Sequence, residues 1–312
     1  NQILIIVLNN MNKPQISVVI PTYNHAAFLK RALMSVIKQE FISWEIIIVD
    51  NHSSDNTDEV VKSFNESRIK LFKIHNNGVI GASRNYGMKE AKGNWIAFMD
   101  SDDIWYETKL SSCEEFFKSE NHKFDVISND ELMVFSNSKK NKILNHGPAS
   151  KNIYRDMIIY GNRLSPSAAM VRKCFLEKHE ITFSESQEFI TAEDYDFWLN
   201  LALYKASFFF LGSVQGEYTI HGNNASSQLD IQASASKLVL MKHVFELQCF
   251  EQNKSRLWSK VKSRLYFSDS VKRIKVFHFS KAFILLLKSV LSSPLGLFEI
   301  ILKKTIFKNH TL

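Results

Sequence analysis

Three carboxylates end an apolar run in Trp95-Ile-Ala-Phe-Met-Asp100-Ser-Asp-Asp103. Five apolar residues in succession read as a buried strand. Asp100, Asp102 and Asp103 then crowd at its carboxyl end, where open α/β sheets place their ligands. Like charges held that close are costly until a cation neutralises them. Hard oxygen ligands of this kind suit Mg²⁺ or Mn²⁺, usually held by one or two carboxylates together with substrate phosphates. A lone Asp-Ser-Asp also reads as a solvated turn or a helix cap, so its company decides between the two.

That company is extensive. The loop Asn76-Asn-Gly78-Val-Ile-Gly81-Ala-Ser-Arg84-Asn-Tyr-Gly87 precedes and opens a helix. Its glycines permit close backbone approach, a helix N-terminus favours an anion, and Arg84 adds a cationic fork suited to phosphate. A cation beside a diphosphate fits a nucleotide-sugar, whose departing nucleoside diphosphate carries charge the cation stabilises. Asp50 ends another strand, where its carboxylate serves either the edge of a base or the cap of the Ser53–Asp55 turn. Glu193, Asp194 and Asp196 open a helix carrying Phe197, Trp198 and Leu199. Acids there complement the helix dipole or supply a general base, and the residues alone do not choose among the three. His221 follows as a structural histidine or a ligand.

Elements of alternating type must position these groups. Ile16-Ser-Val-Val-Ile20 reads as a strand ended by Pro21-Thr-Tyr-Asn24, and 26–39 as a helix with apolar residues on one face. A strand over 45–49, a helix over 57–65, a strand over 69–74, a helix from about 82 to 91 and the 95–99 strand follow. Such alternation implies βαβ units and a mostly parallel sheet, an α/β fold with its polar residues lined up on one edge. Beyond it the pattern predicts a helix at 109–119, a strand at 124–129, a polar loop over 136–151 and a helix over 193–204.

The chain has 312 residues with 45% hydrophobic and 23% charged content, 10 Gly and 5 Pro, which describes a globular protein able to bury a full core. Cys113, Cys174 and Cys249 are odd in number and lack CxxC pairing, which argues against a disulfide framework or zinc site and for a reducing cytoplasm. The apolar run Ile3 to Leu8 is too short for a signal core or a span. Met11 reads as a natural start, and 1–13 as an extension without function. Net charge is +7, unevenly placed: from Lys237 onward 15 Lys and Arg face 4 Asp and Glu, a balance of +11, against 24 basic and 28 acidic residues before it. A basic tail on an acidic body points to an anionic surface. By charge alone nucleic acid and anionic lipid are both candidates, but the tail lacks any nucleic-acid-binding motif, so no nucleic-acid partner is expected. Its apolar stretches 281–291 and 295–307 are interrupted by Lys288, Pro294 and Glu299, so they read as interfacial amphipathic helices or as an appendage packed on the domain, and not as one span.

Taken together, five ordered blocks resemble the family-2 glycosyltransferases, inverting enzymes of the GT-A fold. They are Ser17-Val-Val-Ile-Pro-Thr-Tyr-Asn24; Trp44-Glu-Ile-Ile-Ile-Val-Asp50 with Ser53-Ser-Asp-Asn-Thr57; Asn77-Gly78 with Ala82-Ser-Arg-Asn-Tyr-Gly87; Gly93 to Asp103; and Glu193-Asp-Tyr-Asp-Phe-Trp-Leu199, followed by Tyr218-Thr-Ile-His221. The resemblance covers about residues 16–227. It implies a Rossmann-like sheet flanked by helices, with a GT-A domain over 14–228 (a nucleotide-binding half, 14–108, and an acceptor half, 109–228) and a helical basic region over 229–312.

The resemblance also implies roles. Pro21, Thr22, Tyr23, Asn24 and Asp50 would hold the nucleotide base, usually uracil. Arg84, Asp100 and Ser101 would contact the donor, and Asp102 would ligate Mn²⁺ or Mg²⁺, with His221 near the diphosphate. Asp194 would be the catalytic base, with Glu193, Asp103 and Gly78 close to the site. Asn51-His52 departs from the family pattern, which often has a second acid there. Leu164-Ser-Pro-Ser-Ala-Ala-Met170 resembles an acceptor-side strand. The implied activity is transfer from a UDP-sugar to a glycan or lipid-linked acceptor in surface-polysaccharide synthesis, at the inner face of the cell membrane. A sugar-phosphate nucleotidyltransferase is a weaker reading, because its glycine- and lysine-rich phosphate loop is replaced by Pro21-Thr-Tyr-Asn24. A non-catalytic nucleotide-sugar-binding subunit is a third, against which Asp102 and Asp194 speak.

Overall fold

The computed structural model describes residues 13–118, 123–135, 141–147, 150–221 and 228–309. The expectations for Asn1 to Asn10 and Met11, and part of the 136–151 loop, lie outside the described residues. The chain forms two compact units: one holds the sheet, with residues up to 149, 163–185 and 200–224, and the other holds 150–162, 186–199 and residues from 225 on.

In the first unit, β1 (Ile16–Thr22) and β2 (Trp44–Asp50) are buried along their whole length. Such largely apolar strands, rich in β-branched residues, suit the middle of a sheet covered on both faces. β1 pairs in parallel with β2, from Ile16 opposite Trp44 to Thr22 opposite Asp50. It pairs in parallel with β4 (Trp95–Phe98) on its other side, and β3 (Ile69–Lys73) extends the parallel set beyond β2. The helix α1 (Ala26–Ile37) buries Ala26, Leu29, Ala32, Leu33 and Val36, the helical spacing read from the sequence. The helices α2 (Thr57–Ser63) and α3 (Ile80–Glu90) follow β2 and β3.

The strand order is β3-β2-β1-β4-β8-β6-β9-β5, with β7 (Lys142–Leu144) on β6. The parallel half is as expected, and the rest of the sheet is mixed. β8 (Ala169–Arg172), which runs straight into α6 (Lys173–His179), is antiparallel to β4 and to β6 (Val126–Phe135). β9 (Phe208–Ile220) is parallel to β6, with register shifts around Asp130, and β5 (Ile104–Trp105) lies antiparallel on β9 at the far edge. A parallel crossover needs a dozen or more residues. Only five separate β4 from β5, so β5 cannot continue the parallel set. The helix expected over 109–119 is a 3₁₀ turn (Ser111–Cys113) running into α4 (Glu114–Lys118). β9 had no counterpart in the sequence reading, because Gly212 and Gly216 interrupt its pattern. Gly216 is required there: a Cβ would lie 2.7 Å from the Ile104 carbonyl oxygen.

A polar layer lies within this core. Lys109 is fully buried, donates to Asn129 Oδ1, and sits 4.8 Å from the Trp105 ring centre. Burial pushes its ammonium down to about 8.

In the second unit, α5 (Ile153–Tyr160), α8 (Leu229–Lys242) with a π-turn over His243–Leu247, and α9 (Lys254–Lys275) gather with α10 (Phe279–Ser292) and α11 (Pro294–Asn309). The α9–α10 seam is made of small residues: Ser289 Oγ donates to the Ser263 carbonyl (2.8 Å) and Ser263 Oγ to the Ser289 carbonyl (2.9 Å). Arg273 of α9 pairs with Asp230 of α8 at 2.6 Å. No single described helix is long and apolar enough to cross a membrane, and α10 meets α11 at a bend of 108°.

Two stability measurements follow. A side chain at Gly87 of α3 would overlap Val19 Cγ1 of β1, so Gly87→Ala should cost about 1–3 kcal/mol, seen as a lowered thermal midpoint; an unchanged midpoint would show that α3 does not rest on β1. Lys109 binds its proton less tightly folded than unfolded, so stability should rise between about pH 8 and pH 10 by roughly 2–4 kcal/mol. Denaturant titrations across that range should lose this component in Lys109→Met.

Candidate active site

The carboxyl ends of β1, β2 and β4 bring the donor-side candidates together. β1 ends at Thr22 beside Asp50, its register partner at the end of β2. The Thr22 hydroxyl is buried with no hydrogen-bond partner among the described residues. Asp50 is wholly buried, and its carboxylate accepts the Ser53 amide (3.1 Å to each oxygen) and the Ser53 hydroxyl (2.5 Å). It therefore caps the turn, and a carboxylate with about four lone-pair sites keeps acceptor capacity beyond that. Asn24, at φ +50°, donates its amide to Ser53 Oγ (2.8 Å) and accepts the Ser54 amide (2.8 Å). Asp55 accepts the Ala26 amide at the start of α1 (2.9 Å) and the Thr57 hydroxyl (2.6 Å). The two loops are thus stitched into one wall, and Tyr23 stands 55% exposed upon it.

Asn51, the departure from the family pattern, has a structural task. Its Oδ1 accepts the Asn76 amide at 2.9 Å, and Asn76 Oδ1 in turn accepts the Gly78 amide at 2.9 Å. Gly78 holds φ +79°, a left-handed conformation that glycine adopts without strain. His52 stacks on His75 with ring centres 3.8 Å apart.

Each of the three acids after β4 has a different partner. Asp100 Oδ1 receives Arg84 Nη2 at 2.8 Å, and Arg84 itself is nearly buried on α3. Asp102 Oδ2 lies 2.9 Å from His221 Nε2, just past the end of β9. Burial raises the Asp102 carboxyl above its ordinary range, and the charge of Asp100 adds to the effect. Asp103 turns into the core, where it accepts the Ser167 hydroxyl (2.5 Å) and the Thr219 amide (2.9 Å). Burial, then the charges of Asp102 and Glu131, push its carboxyl well up.

The sequence reading did not single out three residues that fasten this arrangement. Phe28 of α1 stacks on His221, ring centres 4.7 Å apart at 18°. His25 Nδ1 is 3.1 Å from Ser101 Oγ, and its ring meets His221 edge-on at 5.8 Å. Ser167 also accepts the Asp100 amide at 3.0 Å, while its carbonyl accepts Trp105 Nε1 at 2.8 Å. Ser167 lies in the 164–170 block already noted. Phe28 carried only the signature of a core helix position.

The three acids at the start of α7 (Glu193–Leu203) belong to the second unit. Asp196 is buried and receives Lys242 Nζ (3.0 Å) and His243 Nε2 (3.0 Å), with His243 Nδ1 3.0 Å from the Tyr154 hydroxyl. Burial opposes ionisation of Asp196, but His243 and Lys242 hold its carboxyl below the ordinary range. Glu193 is buried. Asp194 is half-buried, accepting the Tyr195 amide (2.7 Å) and Asn162 Nδ2 (3.3 Å). Among the described residues, no group of three or more His, Cys, Asp or Glu side chains could hold a metal ion by itself.

Known proteins identify the family and the fold. The family model described as "Glycosyl transferase family 2" matches residues 17–178. The chain is 31% identical over 187 residues to the UDP-Glc:alpha-D-GlcNAc-diphosphoundecaprenol beta-1,3-glucosyltransferase WfgD of Escherichia coli, covering 60% of this chain and 69% of that protein. It is 26% identical over 217 residues to the putative teichuronic acid biosynthesis glycosyltransferase TuaG of Bacillus subtilis, covering 69% and 82%. The fold resembles the crystal structure of S. aureus TarS 1–349 in complex with UDP-GlcNAc, at TM-score 0.62 and 22% identity, over 92% of this chain and 83% of that one. It spans 43% of a longer TarS chain. The likeness bears out the GT-A expectation, including the helices that follow the sheet. The chain belongs to glycosyl transferase family 2 and is a glycosyltransferase.

Proposed function

We propose that this enzyme moves a sugar, with inversion, from a UDP-sugar to a hydroxyl of a lipid-linked glycan in surface-polysaccharide synthesis. The observation that carries the reading is the division of labour among Asp100, Asp102 and Asp103. One is paired to a buried arginine, one faces a histidine, and one is used as a structural post. The relatives' names support the substrates: one takes UDP-Glc to a diphosphoundecaprenol-linked sugar, and another serves teichuronic acid synthesis.

In this reading the unpartnered Thr22 hydroxyl, Asp50 and the exposed Tyr23 ring receive the base, supported by Pro21 and Asn24. Arg84, Asp100 and Ser101 face the sugar diphosphate. Asp102 and His221 fit Mn²⁺ or Mg²⁺: the raised carboxyl beside a second acid favours a cation, and one carboxylate with an imidazole leaves room for phosphate oxygens. When bound, the cation supplies charge stabilisation for the leaving diphosphate. Asp194 takes the proton from the acceptor hydroxyl as that oxygen attacks the anomeric carbon. The choice of Asp194 follows the resemblance, and the structure is consistent with it: Asp196 is committed to Lys242 and His243, and Glu193 is buried. Residues 14–228 are read as the catalytic domain, with the donor half at 14–108 and the acceptor half at 109–228, and 229–312 as the attachment region. In this reading the enzyme works in the cytoplasm, at the inner face of the cell membrane, where a lipid-linked acceptor would reside.

Nucleotide release across UDP-, GDP- and dTDP-sugars, with Mn²⁺, Mg²⁺ or chelator, tests the class of donor. Turnover of one UDP-sugar, abolished by chelator, is expected; release from none of them would sink the reading. Asp194→Asn should lower turnover about 10²–10⁴-fold while donor affinity by titration stays within a few-fold. Phe28→Ala should lower kcat about tenfold and raise the Mn²⁺ concentration for half-maximal rate, with Phe28→Tyr restoring both. Equal metal dependence in both variants would mean that Phe28 only fills space.

A further inference from the structure

The second unit carries an apolar surface that its fold does not use. α10 is 14 residues long, yet buries only Ala282 and Ser289, one side of the helix set against α9. Its larger apolar residues face out. Phe283 is 63% exposed, Leu287 48% and Leu291 83%; past the bend, Leu295 is 80% and Phe298 65% exposed. Phe283, Leu287 and Leu291 recur every four residues and so share a face. Lys281 and Lys288, seven residues apart, run along one edge of that face, both exposed. A helix that buries serine and alanine while exposing phenylalanine and leucine inverts the ordinary amphipathic pattern. A contiguous exposed patch of this kind marks a binding surface.

The charge pattern selects the occupant. Between residues 275 and 302 the chain carries Lys275, Lys281 and Lys288 against one acid, Glu299; Glu299 is paired with Lys260 and Lys281 with Asp230, which leaves Lys275 and Lys288 as the exposed cations beside this face. The sequence continues with Lys303, Lys304 and Lys308. We propose that α10 and α11 form an in-plane docking surface for an anionic lipid bilayer, with Phe283, Leu287, Leu291, Leu295 and Phe298 entering the acyl boundary and Lys275 and Lys288 meeting headgroups. The geometry favours lying on the membrane over crossing it. α10 is about 21 Å long, short of a hydrocarbon core of about 30 Å, and the 108° bend turns α11 away from its axis. The α9–α10 seam is closed by hydrogen bonds between Ser263 and Ser289, so occupation of the outer face leaves the helix packing undisturbed.

Flotation of the full-length chain with vesicles of phosphatidylcholine, with and without phosphatidylglycerol, tests the proposal, with thermal midpoints confirming that each variant is folded. The wild-type chain should float with the phosphatidylglycerol vesicles. Leu287→Asp combined with Leu291→Asp should reduce partitioning about tenfold or more on both vesicle types. Lys275→Gln combined with Lys288→Gln should weaken it only where phosphatidylglycerol is present. Equal flotation of the leucine double variant and wild type would overturn the assignment. So would a wild-type dimer by light scattering that the leucine variant converts to monomer without flotation in either, because the occupant would then be a second copy. The inference stands on α10 and α11 alone: flotation without nucleotide release would remove the proposed donor chemistry and leave the docking surface.

Discussion

Three carboxylates within four residues cannot all remain charged without separate compensation, and the first unit is arranged around that constraint. Asp100 draws Arg84 from α3, Asp102 draws His221 from the end of β9, and Asp103 is taken inward by Ser167 and Thr219. The partners come from α3, from the segment leading into β8 and from the end of β9, so the acidic turn fixes where these three meet. The parallel strands β1 and β2 then place Thr22 and Asp50 on the same edge. The result is a small acidic centre whose outer carboxylates meet a guanidinium and an imidazole, while the inner one serves as an anchor.

The parallel half of the sheet was legible because helical spacing and apolar strands rich in β-branched residues are local signals, and βαβ succession leaves few topologies. Asp50, Arg84 and the acidic turn were legible for the same reason, each standing at a strand or helix end. The second half was not. β9 is interrupted by Gly212 and Gly216, and the need for Gly216 comes from β5, more than a hundred residues earlier. Phe28 looked like an ordinary core position, and only the arrival of His221 gives its ring a stacked partner beside the tilted contact with His25. Asn51 was visible as an oddity, but its bond to the Asn76 amide depends on β2 and β3 ending side by side. Long-range pairings of this kind leave no periodicity in the sequence.

In the second unit the buried polar chain Tyr154–His243–Asp196–Lys242 ties α5, α8 and the start of α7. Burial of a carboxylate is tolerated there because two bases and their hydrogen bonds accompany it. The same helix start leaves Asp194 half-buried. One sequence run of acids is thereby split between scaffold and solvent, much as the turn after β4 splits its own three between core and edge.

β9 has a further consequence. Thr219 and His221 sit two residues apart at its end, one holding Asp103 by its backbone amide and the other facing Asp102 by its ring. The strand acts as a ruler laid across the acidic turn. The amide that anchors Asp103 in the core and the ring that meets Asp102 thus share one short stretch of backbone, so a shift in that stretch would be felt by both carboxyl groups.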